Sequence, residues 1–102
     1  MLNSIVSSKI SQLRNLFDQH KVKRAYAFGS VCTDKFNDES DIDMLIAFQD
    51  GLNPVEYGDH YFSLVEALEK LLQRHVDLVT EPTLKNPYFI NSVNQTKIPI
   101  YE

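Results

Sequence analysis

The 102 residues carry ten Lys plus Arg against fourteen Asp plus Glu, a net charge of −4, with 43% apolar side chains and one cysteine. Such a chain predicts a single domain over residues 1–102 around one core, and its acidic balance argues against direct DNA or RNA binding, which takes a basic stripe. Cys32 alone closes no disulfide, no Cys/His cluster has zinc-ligand spacing, and no apolar run approaches the ~20 residues of a membrane span, so a cytoplasmic, membrane-free setting is expected.

In chain order, Ile5 or Val6, Ile10, Leu13 and Phe17 recur at helical spacing, which predicts one amphipathic helix over residues 3–19 ending at His20-Lys21. Arg24-Ala-Tyr-Ala-Phe28 predicts a strand stopped by Gly29-Ser30. After the polar stretch Thr33 to Asp41, the segment Ile42 to Phe48 is apolar apart from Asp43, as expected of a central strand covered on both faces. Asn53-Pro54 opens a second helix, whose stripe of Tyr57, Tyr61, Leu64, Val65, Leu68, Leu71 and Leu72 runs to near Arg74. Val76 to Thr80 reads as a strand closed by Glu81-Pro82. Pro87 begins a short helix that should turn Phe89, Ile90 and Val93 inward, and Ile98 to Tyr101 suits an edge strand because Pro99 lacks a ladder donor. Helices alternating with strands predict an α/β or α+β fold with one small mixed sheet.

The residues that suggest chemistry are Gly29-Ser30, ten intervening residues, and Asp41-Ile42-Asp43. Gly29 permits a tight turn and close backbone approach to a ligand, and Ser30 stands where a following helix would present unpaired N–H groups to phosphate. Residues two apart in a strand share a face, so Asp41 and Asp43 can project together, about 6–7 Å apart at the backbone. Two carboxylates beside a triphosphate suit Mg²⁺, which takes one or two protein carboxylates, phosphate oxygens and water. Six acids (Asp34, Asp38, Glu39, Asp41, Asp43, Asp50) against one base, Lys35, make residues 34–50 strongly acidic, a repulsion that a metal would relieve. Asp77, in the next strand, can reach the same sheet edge, and three carboxylates permit two ions. Asp77 then binds the metal nearer the attacking oxygen or serves as its general base.

This arrangement resembles the polymerase-beta-like nucleotidyltransferase superfamily, and within it the minimal nucleotidyltransferase (MNT) domain. The resemblance runs over almost the whole chain. It takes in Tyr26-Ala27-Phe28 before the glycine, Ser40 before the first acid, Leu71-Leu72 with Val76 to Thr80, and the terminal Ile100-Tyr101. It implies Mg²⁺-dependent transfer of a nucleoside monophosphate, usually AMP from ATP, to an acceptor hydroxyl. It also implies a helical HEPN-type protein as partner, the two forming a toxin–antitoxin pair, with oligomeric state open. One departure stands out: where the family has a small residue, an arginine and a glycine after the Gly-Ser and a variable residue, this chain reads Val31-Cys32-Thr33-Asp34-Lys35. Lys35 is the available substitute, a point charge without a bidentate fork. Two readings stay open: a protein adenylyltransferase using Asp41, Asp43 and Asp77 with Gly29, Ser30 and Lys35 at the nucleotide, or a catalytically weak antitoxin that neutralises its toxin by binding alone.

Other residues have plainer expectations. Tyr57, Tyr61, Phe62 and Tyr88 are assigned to the core, Cys32 to packing, His75 to the surface, and Lys85 and Lys97 to solvent.

Overall fold

The N-terminal apolar pattern is met by two helices rather than one, in a computed structural model that describes residues 1–102. Helix α1 (Ser4–Ser7) is one turn capped by the Asn3 side chain, and α2 (Ile10–Gln19) restarts beyond Lys9. The break has two causes. Ser7 and Ser8 are weak helix formers, and the first turn is tied elsewhere: the Asn3 N–H donates to the Val31 carbonyl at 2.8 Å and the N-terminal ammonium to the Cys32 carbonyl at 3.2 Å. After α2 the chain reverses through His20 and a left-handed Lys21, φ 61°.

Strand β1 (Val22–Phe28) begins two residues earlier than its sequence pattern predicts, while β2 (Ile42–Phe48) and β3 (Val76–Thr80) keep the expected bounds. Helix α3 (Pro54–Leu72) has the expected Asn53 cap, whose side chain accepts the Glu56 N–H at 2.9 Å, and ends on a left-handed Gln73. Helix α4 (Pro87–Thr96) leads into β4 (Ile98–Tyr101). The sheet order is β3-β2-β1-β4, with β1 antiparallel to both β2 and β4 and β2 parallel to β3. It is the expected small mixed sheet flanked by helices, with Pro99 on an edge strand. The parallel pair requires a crossover, which α3 supplies.

The strand period of two sorts the core into two unequal parts. One face of the sheet sets Ala25, Ala27, Ile42, Met44, Ile46 and Leu78 against Val6, Leu13, Phe17, Leu64, Leu68 and Leu72 of α1 to α3. Burying each Leu or Phe here contributes roughly 1.5–3 kcal/mol, which holds α2 and α3 to the sheet. The other face carries a small cluster, Phe28, Leu45 and Val93, beneath α4. Of the three α4 residues expected to turn inward only Val93 is buried. Phe89 stays 40% exposed, edge-on to Phe28 at 5.9 Å between centroids. The aromatic assignment to the core needs the same correction. Tyr57 and Tyr61 are half-buried, but Phe62 is 73% and Tyr88 86% exposed, because Phe62 lies off the α3 stripe and Tyr88 sits on the first turn of α4, before that helix meets the sheet. Cys32 is a buried free thiol whose pKa burial pushes up, and no helix is long and apolar enough to cross a membrane.

Candidate functional site

The sheet's second face ends in a row of three residues at one level. Phe28 of β1 pairs with Asp43 of β2, and Asp43 pairs in parallel register with Asp77 of β3. Neighbouring strands lie about 4.8 Å apart and residues in register project to one side, so the two carboxylates rise together where the small α4 cluster gives out. Asp41 stands one residue ahead of β2, outside the ladder and exposed. Desolvation raises the Asp43 pKa to about 6, with repulsion from Asp77 and then Asp41 adding to it and His75 opposing it. Both of the other acids therefore act electrostatically on Asp43. No group of three or more His, Cys, Asp or Glu side chains is drawn together tightly enough to cage an ion unaided.

Gly29 makes the placement of Asp43 feasible. Its φ is +75°, and a Cβ there would lie 2.5 Å from Asp43 Oδ2. The close approach that the sequence suggests for a ligand is made by this carboxylate. The Gly29 N–H donates to Thr96 Oγ1 at 2.8 Å, so it is committed within the protein rather than open to phosphate. Nor does a full helix follow: Gly29–Cys32 is a single 3₁₀ turn, closed when the Thr33 N–H and hydroxyl both donate to the Ser30 carbonyl at 3.0 Å. Ser30 is half-exposed, and its hydroxyl has no partner within the fold.

Lys35 lies on the exposed loop between this turn and β2, and its side chain makes no ion pair or hydrogen bond. It is not among the charges acting on Asp43. The loop closes on itself, Asn37 N–H to Ser40 Oγ at 3.1 Å and Glu39 N–H to Asn37 Oδ1 at 2.8 Å. Arg74 fastens it from outside, donating through one terminal nitrogen to the carbonyls of Asn37 at 2.6 Å and Ser40 at 2.5 Å, with its guanidinium 4.6 Å from the Phe36 ring centre. At the start of β3, Glu69 accepts from the Val76 N–H at 3.0 Å and pairs with the exposed His75 at 2.9 Å. Sequence reasoning passes over Thr96 and Arg74, since neither belongs to a motif and each acts on backbone far away in the chain.

None of the concave surfaces is lined by Asp41, Asp43 or Asp77. A groove of about 400 Å³ between α3 and β3 begins one residue beyond Asp77, with Tyr57, Tyr61, Phe62 and Leu78 in its wall. Asp41 and Asp77 are exposed at this end of the sheet, and Asp43 is half-buried between them and Gly29.

The chain matches the family model for the polymerase beta nucleotidyltransferases over residues 11–102. A candidate protein adenylyltransferase of Methanocaldococcus jannaschii is 37% identical over 83 residues, 81% of each chain. A second such protein of that organism is 34% identical over 83 residues, again 81% of each. A solved structure of a candidate minimal nucleotidyltransferase superposes with a TM-score of 0.75 at 30% identity, covering 97% of this chain and 96% of its own. A chain in the structure of a tri-AMPylated Shewanella oneidensis HEPN toxin with an MNT antitoxin has a TM-score of 0.63, covering 92% of this chain and 70% of its own. At 20% identity this last likeness concerns the fold alone.

Proposed function

The chain belongs to the polymerase beta nucleotidyltransferase family, which makes it a nucleotidyltransferase domain, and from that premise we propose that it transfers AMP from ATP to a hydroxyl of a protein acceptor. In this reading residues 1–102 act as one domain, working in the cytoplasm as the antitoxin of a HEPN/MNT pair, with a helical HEPN-type protein as its partner. The observation that carries the reading is the row at the sheet end: Asp43 in register with Asp77, pressed against Gly29, with Asp41 close enough to repel it.

Asp41, Asp43 and Asp77 would hold Mg²⁺, two ions at full occupancy. Bound there, the metal would offset the repulsion among the carboxylates and stabilise the charge that develops on the transferring phosphoryl group. The protein contributes position. Gly29 leaves room for the Asp43 carboxylate, the free Ser30 hydroxyl would donate to the triphosphate, and Lys35, unpaired in its loop, would be the cation available to it. Asp77 lies on the edge strand β3, and in this reading it would bind the metal nearer the attacking oxygen or take the acceptor's proton. An open site of this kind leaves the acceptor surface to the partner.

The binding-only alternative draws on a different observation. The Gly29 N–H is held by Thr96, and the loop that lacks the family arginine offers only Lys35 in its place.

Incubation with a HEPN-type partner and ATP labelled at the α-phosphate separates the two. Transfer to the partner that is lost in Asp43→Asn, with no transfer from γ-labelled ATP, supports the enzyme. Neutralisation of the toxin by the Asp41→Asn, Asp43→Asn double variant, without label transfer from the wild type, supports masking by binding.

A further inference from the structure

We propose that Arg74 is a positioning residue for Asp41, and that it acts by clamping the backbone on which that carboxylate is mounted. The inference rests on the reading of Asp41 as a metal-facing group. Asp41 is exposed and lies outside the strand, so neither burial nor the ladder fixes it. Its two backbone neighbours are nevertheless fixed, and to consecutive residues of one segment. The Ser40 carbonyl accepts from Arg74, and the Ile42 N–H donates to the His75 carbonyl at 3.0 Å. Arg74 thereby adds one side-chain rung to the β2–β3 pairing, just where backbone pairing stops.

The same nitrogen reaches the Asn37 carbonyl, and the Phe36 ring supports the guanidinium plane. The loop is therefore held at both ends of its last turn. The anchoring segment runs directly into Asp77, so one short stretch, residues 74–77, both holds the backbone on either side of Asp41 and carries the Asp77 side chain. A lysine at this position has no planar group to lie on Phe36 while donating to two carbonyls. The effect on chemistry follows from the geometry: a carboxylate on an untethered loop must be ordered each time metal and nucleotide bind, and that ordering lowers affinity.

The test compares wild type, Arg74→Ala, Arg74→Lys and Asp43→Asn as full chains. Calorimetry measures binding of α,β-methylene-ATP with and without Mn²⁺, and amide exchange is followed in residues 36–42. Arg74→Ala should weaken the Mn²⁺-dependent binding about 10-fold, the lower end of what loss of an outer-shell support costs a metal site. Metal-free nucleotide binding should stay within about twofold of wild type, and Ile42 and the loop amides should exchange faster while Met44 to Ala47 keep their protection. Arg74→Lys should recover part of the affinity; if Arg74→Ala fails to fold, this variant carries the test, with a metal-dependent loss smaller than the ~10-fold of full removal. Equal weakening with and without metal, or an unchanged Mn²⁺-dependent affinity beside a loosened loop, overturns the proposal. If wild type shows no metal-dependent binding and matches Asp43→Asn, the underlying assignment of the acids falls, and the clamp's catalytic role falls with it.

Discussion

Replacing Gly29 by alanine tests how the site is built, because two separate penalties meet at that one atom. The left-handed backbone, φ +75°, costs a Cβ-bearing residue roughly 1–2 kcal/mol. Stiffening of the unfolded chain offsets about 0.4–1 kcal/mol of that. The net loss, near 1 kcal/mol, lowers the melting temperature of a domain this size by roughly 4–8 °C. The added Cβ also falls 2.5 Å from Asp43 Oδ2, inside the 3.0 Å that real Cβ contacts essentially never breach, so the carboxylate must retreat. A displacement approaching 1 Å in a positioned catalytic group costs on the order of 100-fold in rate. Label transfer reads the displacement of the carboxylate, while thermal melts read the backbone penalty together with the steric cost of that displacement. In the double variant Gly29→Ala, Asp43→Ala the steric part disappears and the backbone part remains, so the stability changes should be non-additive. A Gly29→Ala protein with wild-type melting and wild-type transfer would refute the reasoning.

Three further outcomes follow from the same geometry. The folded Asp43 pKa of about 6 lies above its ordinary value of 3.8, so the folded state holds the proton more tightly. Its penalty on stability therefore grows as pH rises between these values and is complete above about 6. Asp43→Asn should abolish transfer yet melt higher than wild type at pH 8, with the gap closing toward pH 4. Thr96→Val leaves the Gly29 N–H without its acceptor, and urea titration should show a loss of about 1 kcal/mol, with faster exchange at that amide. Arg24 donates to both Glu81 oxygens and holds that carboxyl below its ordinary value. The pair's stabilisation is present near neutrality and is lost as pH falls through the lowered value, so Glu81→Gln should flatten the acid limb of the stability curve.

The parts of the fold legible in the sequence are those fixed by local signals. Strands β2 and β3 and helix α3 are bounded by Asp50-Gly51, Asn53-Pro54 and Glu81-Pro82; α3 and β3 carry clear periods, and β2 is a short apolar run of strand length. The break between α1 and α2 is only partly local, since beyond the weak helix formers Ser7 and Ser8 it depends on hydrogen bonds from Met1 and Asn3 to residues near position 31. Helix α4 offers three apolar residues for a face that the sheet can only partly cover, and Val93 alone reaches it. At the candidate site, the alignment of Asp43 with Asp77 is legible because parallel strands β2 and β3 bring residues of equal depth into register, whereas Asp41, expected to share the strand face with Asp43, stands just ahead of β2 and outside that ladder. The role of Gly29 is only half readable: its conformational freedom is evident from the turn, but what approaches it, a carboxylate, depends on the β1–β2 register. Thr96 and Arg74 act across 67 and 34 residues of chain, with no motif to announce them.

The most direct test of the central claim is anomalous diffraction from crystals of the protein soaked with Mn²⁺ and α,β-methylene-ATP. A manganese peak should lie at the Asp43 and Asp77 carboxylates, with Asp41 turned toward it and the triphosphate along the Gly29–Cys32 turn. Nucleotide bound elsewhere on the protein, or manganese absent from these acids while nucleotide occupies the turn, would contradict it.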